Sequence, residues 1–217
     1  MPIGVPKVPC EYRIPGYGDN RTVRGWVNLY TFLFRKRGVF LSEAISYLVA
    51  NQLIALLLYL SIDDPYYEIW MFINSTGGSV FAGISIFDTM QCLEAEVDTA
   101  CLGIAASMGS FVVVGGEIPK RVAYPHARVI IHQPESDFFW GKEEEVALEV
   151  EEMAKLRATI AKVYVERTGQ PYKVVSADME RAVLFSATDA KAYGIIDAIA
   201  GTDCFHYGHR TRNQSLW

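Results

Sequence analysis

The sequence has no excess of basic charge, no closely paired cysteines and no apolar run long enough for a bilayer, and each lack removes a class of function. Its formal net charge is −5, with 20 Lys and Arg against 25 Asp and Glu. That balance argues against a nucleic-acid or anionic-membrane surface. The 4 cysteines, Cys10, Cys92, Cys101 and Cys204, are scattered, which suits reduced thiols in a reducing compartment rather than a disulfide framework. Cys92 and Cys101 sit in apolar surroundings and are expected to fill core positions. The longest apolar run, Tyr47 to Ile62, carries Asn51 and Gln52 and falls short of the ~20 residues a membrane helix needs. A buried or interface helix is the expectation. No basic, apolar, small-residue leader opens the chain, and residues 1–6 lack the Arg- and Ser-rich character of a transit peptide. Secretion is therefore not expected.

What is present is a chain of 217 residues, 51% hydrophobic and 21% charged, enough for one domain with a continuous core. Residues 1–26 are rich in Pro, Gly and polar groups and read as a mobile arm. Val39 to Leu41 reads as a strand, with Ser42 and Glu43 capping the apolar helix that follows. Ile69 to Ile73 is a continuous apolar run entering the turn Asn74-Ser75-Thr76-Gly77-Gly78. A helix with Val80, Ile84 and Phe87 on one face comes next. Thr99 to Leu102 and Val129 to Ile131 are further strands, and such alternation predicts an α/β fold with parallel strands. From Lys142 to Arg167 the apolar positions Val146, Val150, Met153, Leu156, Ile160 and Val163 keep helical spacing. Glu143, Glu144 and Glu145 suit the positive end of that helix, and Gly169 and Pro171 stop it. Its length exceeds what a small core needs and suggests a projection toward a partner. Residues 201–217 read as a polar tail.

Three strand-end segments carry chemistry. In Gly103-Ile104-Ala105-Ala106-Ser107-Met108-Gly109, a serine stands between a strand end and a helix start, where a sharp turn exposes its hydroxyl. The helix N-terminus there favours negative charge on a bound carbonyl oxygen. By itself the segment better describes a helix-capping serine in a small-residue packing turn. His132 follows the apolar strand Val129–Ile131 directly, at the end where α/β sheets hold functional groups. Ser107 and His132 together supply a nucleophile and a base. The turn at Gly77-Gly78 lets backbone approach a ligand and direct an N–H at it, as an oxyanion hole requires; a plain turn is the alternative.

These segments resemble the proteolytic subunits of Clp proteases. Gly103 through Phe111 is similar to that family's nucleophile segment and Arg128 through Pro134 to its histidine segment, with the same separation of 25 residues between Ser107 and His132. Asp88-Thr89-Met90-Gln91 and Met179-Glu180-Arg181 match further signature stretches. The resemblance spans residues 28 to 200, and residues 1–9 look like the opening of plastid-encoded members. It implies a crotonase-like α/β fold of repeated strand–helix units, residues 28–200, preceded by an axial-gate arm (1–27) and followed by the tail. The helix of about 142–168 becomes a projecting handle joining two stacked seven-subunit rings. It implies a serine-type endopeptidase cutting unfolded proteins delivered by an ATP-driven AAA+ chaperone in the chloroplast stroma. Ser107 is carried over as nucleophile, His132 as base, and the N–H groups of Gly78 and Met108 as the oxyanion hole. Arg181 falls at a ring-contact arginine, and Trp70 and Phe72 at the chaperone-docking pocket, although strand alternation alone assigns both aromatics to the core. No cofactor or metal is implied for this chain, since the partner would consume the ATP.

The match departs at one informative place. The family's third catalytic residue is an aspartate after the Glu-Arg pair, and this chain has Ala182. Losing that group costs on the order of 10⁴ in kcat. Asp178, Glu180 and Asp189 are candidate substitutes, Asp178 first. If none serves, the alternative is a catalytically weak or inactive structural subunit of the ring. Thr76 stands where the family has proline, loosening the loop, and Cys92 where it has an aromatic near the docking pocket. Cys204, His206 and His209 in the tail are read as accidental spacing rather than a metal site.

Overall fold

The computed structural model describes residues 4–13, 22–134 and 142–203. The arm is not irregular in its described part. β1 (Lys7–Arg13) pairs antiparallel with β2 (Thr22–Asn28) as a two-stranded ribbon, and Asn28 caps α1 (Leu29–Arg35) by accepting from the Tyr30 N–H. Then β3 (Gly38–Leu41), β4 (Ile69–Ser75) and β5 (Val97–Ala106) lie parallel, in that spatial order. They are nearly continuous hydrophobic runs, as strands covered on both faces must be. α2 (Tyr47–Asp63) and α3 (Val80–Cys92) are the crossovers between them. After α4 (Met108–Val114), β6 (Arg121–Ala123) pairs with β5 at Thr99–Cys101, and β7 (Arg128–Ile131) pairs with it further along, at Ile104–Ala106.

α5 (Glu143–Thr168) and α6 (Tyr172–Arg181) follow. β8 (Val183–Ser186) then returns antiparallel to β7, among the described residues the one antiparallel pair in a sheet expected to be parallel. α7 (Ala187–Tyr193) leads to β9 (Ala198–Ile199), which extends the sheet beside β6. Of the tail, Gly201–Asp203 are described, and Asp203 accepts from the Ile199 N–H and Lys191 Nζ. Cys204, His206 and His209 lie outside the described residues.

Several local expectations shift by a few residues. Ser46 rather than Ser42 caps α2, its hydroxyl accepting from the Val49 N–H. α3 buries Ala82, Gly83, Ile86, Phe87 and Met90, and Val80 and Ile84 of the expected stripe pack half-buried against the core at the edge of that face. β5 continues through Gly103 instead of ending before it. Cys101 is buried, but Cys92, at the end of α3, is exposed and fills no core position. Trp70 is buried in a small cluster with Ala100 and Val122, apart from the main core, and Phe72 packs against it half-exposed. Phe72 stacks between Trp70 and Phe40.

Two helices have apolar surface left over. α2 buries Ala50, Leu53, Leu57 and Leu60 and still exposes Tyr47, Leu48, Leu58, Tyr59 and Ile62. α5 buries only Ile160, Ala161 and Tyr164 near its C-terminal end, while Val146, Leu148 and Val150 face outward. The helical periodicity of α5 was legible in sequence, but the N-terminal half of its apolar stripe is left largely uncovered among the described residues. Among the described residues no helix is long and apolar enough to cross a membrane.

At the N-terminal ends of the strands, charge is handled tightly. Arg121 is buried and held by Asp197 Oδ1 and Oδ2 at 2.6 and 2.9 Å and by the Arg167 carbonyl at 2.8 Å. Asp98 is fully buried, with Lys120 Nζ 3.9 Å away. Burial pushes its carboxyl from 3.8 up to about 8, Lys120 opposing and Glu68 and Glu96 reinforcing the rise. The protonated carboxyl's stabilisation is thus complete below 3.8 and lost as pH climbs through about 8. Asp98→Asn should flatten this part of the pH dependence, raising the urea midpoint near pH 8.5 relative to the parent chain while leaving it nearly unchanged near pH 4. Parallel midpoint-versus-pH curves for the two proteins would show that Asp98 is not the group responsible.

Candidate active site

The three strand-end segments meet where β4, β5 and β7 finish. Ser107 is the N-cap of α4 with φ 54° and ψ −125°, a backbone state that a non-glycine residue occupies at a cost of about 1–3 kcal/mol. Its neighbours hold it there. The Ser107 N–H donates to the Ile130 carbonyl of β7 at 3.0 Å, and its own carbonyl accepts from the N–H groups of Ser110 and Phe111 and from Ser110 Oγ at 2.7 Å. Ser110 Oγ is in turn 2.7 Å from the Tyr164 hydroxyl of α5, both residues being buried. Burial pushes the Tyr164 phenol up, so it stays neutral. The side chain of Ser107 makes no capping bond, which rejects the reading of a helix-capping serine: the hydroxyl is kept clear of the helix it precedes.

Gly77 lies flush against this turn. A Cβ added to it would stand 2.6 Å from the Ala106 carbonyl, 2.7 Å from Ser107 Cβ and 3.0 Å from the Met108 nitrogen, and its φ is +90°. Only glycine fits. The loop is moored by Ser75, whose Oγ donates to the Glu43 carbonyl and accepts from the Gly77 N–H. A bridge to Ile45 uses the Gly77 carbonyl and the Ser79 N–H, leaving the Gly78 N–H unspent by that pairing. The Met108 N–H, in the first turn of α4, has no acceptor within its helix. Between β4 and β5 the register shifts from Ile73↔Cys101 to Ser75↔Ala105. The Asn74 side chain fills the gap, its Oδ1 accepting from the Ile104 N–H at 3.0 Å.

His132 follows β7, whose Ile130 is paired with Ala106 of β5. The serine and the histidine therefore emerge side by side from neighbouring parallel strands, ~4.8 Å apart in the sheet. The ring Nδ1 of His132 lies 2.7 Å from the Gln133 carbonyl. The pairing of Ile131 with Val183 puts Ala182 opposite His132. Ala182 itself has φ 55° and ψ 70°, a left-handed state that Asp or Asn tolerates better than alanine.

None of the acids expected to replace the missing carboxylate reaches the histidine. Asp178 Oδ1 accepts from Arg181 at 2.9 Å and Oδ2 from the Tyr193 hydroxyl at 3.1 Å. Glu180 pairs with Arg157 at 3.6 Å, and Asp189 caps α7 through Ser186. Arg181 is exposed, bonded to Asp178 Oδ1 and to the Ala177 carbonyl of its own helix. Sequence reading missed the supporting shell: Asn74, Ser75, Ser110 and Tyr164. Tyr164 was within reach, since it lies on the same helical face as Ile160 and Ala161; the others are small polar residues whose bonds depend on tertiary geometry. Among the described residues no group of three His, Cys, Asp or Glu side chains could hold a metal ion.

The fold and this strand-end geometry agree with what comparison finds. The Clp protease family model matches residues 21–203. The ATP-dependent Clp protease proteolytic subunit of Epifagus virginiana is 56% identical over 92% of this chain and 99% of its own length. The protein of the same name from Coffea arabica is 54% identical over the same shares, and that from Chaetosphaeridium globosum 52% identical over 92% of this chain and 96% of its own. The chain therefore belongs to the Clp protease family, a family of serine endopeptidase proteolytic subunits.

The closeness of Gly77 to the serine can be tested against a second left-handed glycine. Gly169 (φ +76°) has nothing within 4 Å of an added Cβ, so Gly169→Ala carries the backbone cost alone, about 1 kcal/mol. Gly77→Ala adds a collision with backbone and should lower stability by about 2 kcal/mol or more beyond that. Urea midpoints for the pair measure the difference, and equal losses would contradict the packing described.

Proposed function

We propose that Ser107 is the nucleophile and His132 the general base of a Clp-type endopeptidase, with the N–H groups of Gly78 and Met108 as its oxyanion hole. The observation that carries this reading is the strained, multiply tethered turn at Ser107, abutting the glycine loop and lying beside the end of β7. Strain of this kind persists only where surroundings over-determine it, and it gathers at sites of chemistry. Ser107 Oγ attacks the peptide carbonyl while His132 takes the hydroxyl proton, and the carbonyl oxygen becomes an anion facing the two N–H groups. Collapse of that intermediate breaks the C–N bond, the proton passing from His132 to the leaving amine. Water, deprotonated by the same histidine, then cleaves the acyl-serine ester and restores Ser107.

Substrates on this reading are unfolded polypeptides fed by an ATP-driven AAA+ partner. Residues 28–200 form the protease body, and the β1–β2 ribbon belongs to the arm at the axial gate. The body assembles into stacked seven-subunit rings with further Clp proteolytic subunits. Supporting this are the uncovered apolar side of α2, suited to a neighbour within a ring, and the free half of α5, suited to the opposite ring. The plant and algal sources of the relatives support a plastid setting, with the stroma as the compartment.

In assembled rings, a fluorophosphonate should acylate this chain at Ser107. Ser107→Ala should abolish labelling, and His132→Ala should slow it by about 10³-fold or more. Labelling that persists in Ser107→Ala, located by peptide mapping at another residue, would refute the assignment.

A further inference from the structure

We propose that the backbone carbonyl of Gln133 orients His132, taking the part a side-chain carboxylate plays in other histidine-activated serines; this rests on the reading of His132 as the base. The carbonyl oxygen lies 2.7 Å from Nδ1. A carbonyl can only accept a hydrogen bond, so the ring proton of neutral His132 is on Nδ1. The lone pair is then on Nε2, the nitrogen free to receive a proton from a serine hydroxyl. One contact thus selects the tautomer that general-base chemistry requires.

The acceptor is itself fixed from both sides. The Gln133 N–H donates at 2.9 Å to the carbonyl of Met179, a fully buried residue of α6. Pro134 follows, which has no N–H and confines Gln133 to extended backbone. The 133–134 peptide is therefore held in one orientation by a buried residue of α6 and a proline, and its oxygen is aimed at the ring. Among the described residues no acid is bonded at the position: Asp178, Glu180 and Asp189 are engaged elsewhere, and the residue opposite His132 across the β7–β8 pair offers a methyl group.

A carbonyl dipole orients the imidazole but compensates the positive charge formed on proton uptake less well than a carboxylate does. Where a missing carboxylate leaves the wrong tautomer, the loss is about 10⁴-fold. Here the tautomer is already right, so Ala182→Asp should restore only the charge compensation, a gain of about 10- to 100-fold in Ser107 acylation.

The test joins a spectroscopic readout to a rescue. Nitrogen-15 NMR of the full chain carrying labelled histidine, with the His132 signals identified by their loss in His132→Gln, should show neutral His132 protonated at Nδ1 and bare at Nε2. Pro134→Gly, which frees the peptide, should mix the tautomers and slow fluorophosphonate acylation about 10-fold. In the Ala182→Asp background the same change should matter little, because a carboxylate then holds the ring. An Nε2–H ring in the parent chain, or an equal loss from Pro134→Gly in both backgrounds, overturns the proposal even if Ser107 is labelled. An Nδ1–H ring with no labelling in any variant would instead overturn the assignment of Ser107 and, with it, any catalytic meaning of the contact.

Discussion

Strand β5 has to satisfy β4 along one edge and two successive partners, β6 and then β7, along the other. Its 10 residues outlast any single neighbour. Extra length on one side is absorbed by the register shift at Asn74, whose side-chain oxygen accepts the N–H that the slipped backbone leaves over. On the other side β6 hands over to β7 between Cys101 and Ile104. The outcome is that β4, β5 and β7 all end at one place, and the residues that follow them, Gly77, Ser107 and His132, become neighbours without being near in sequence. Everything proposed for the chemistry of the chain depends on that shared terminus.

A strained residue can be kept only by bonds that would be lost if it relaxed. For Ser107 these are its N–H bond to β7, three donors to its carbonyl, and the buried Ser110–Tyr164 pair behind them. Each such bond contributes about 1 kcal/mol net, so together they exceed the conformational cost at one residue. The same network ties α4 to α5, making the longest of the described helices also a support of the turn. Such stiffness is what a hydroxyl needs if it is to meet a base without rearranging.

The apolar runs at 69–73 and 129–131, the glycine turn and the serine turn could be read directly, because buried parallel strands and left-handed turns leave compositional marks. Boundaries set by tertiary bonds could not: Ser42 and Ser46 are equally good caps on paper, and only the path of the chain after β3 selects Ser46. The full inward face of α3 was only partly legible because the helix has apolar residues almost all round, so its pattern does not single out one side. Cys92 shows the same weakness, an apolar neighbourhood in sequence that is open to solvent in space. The absence of the acid at Ala182 was visible immediately, yet what stands in front of His132 was not. A main-chain oxygen has no signature in the amino-acid alphabet.

The spare hydrophobic side of α2 also bears on how the chain must be made. With Tyr47, Leu48, Leu58, Tyr59 and Ile62 open to water, a copy without neighbours presents the kind of continuous sticky surface that drives aggregation. On the proposed ring assembly, solubility becomes a matter of stoichiometry: each chain synthesised needs partners produced in step with it, and any surplus becomes a burden on quality control rather than a reserve of enzyme.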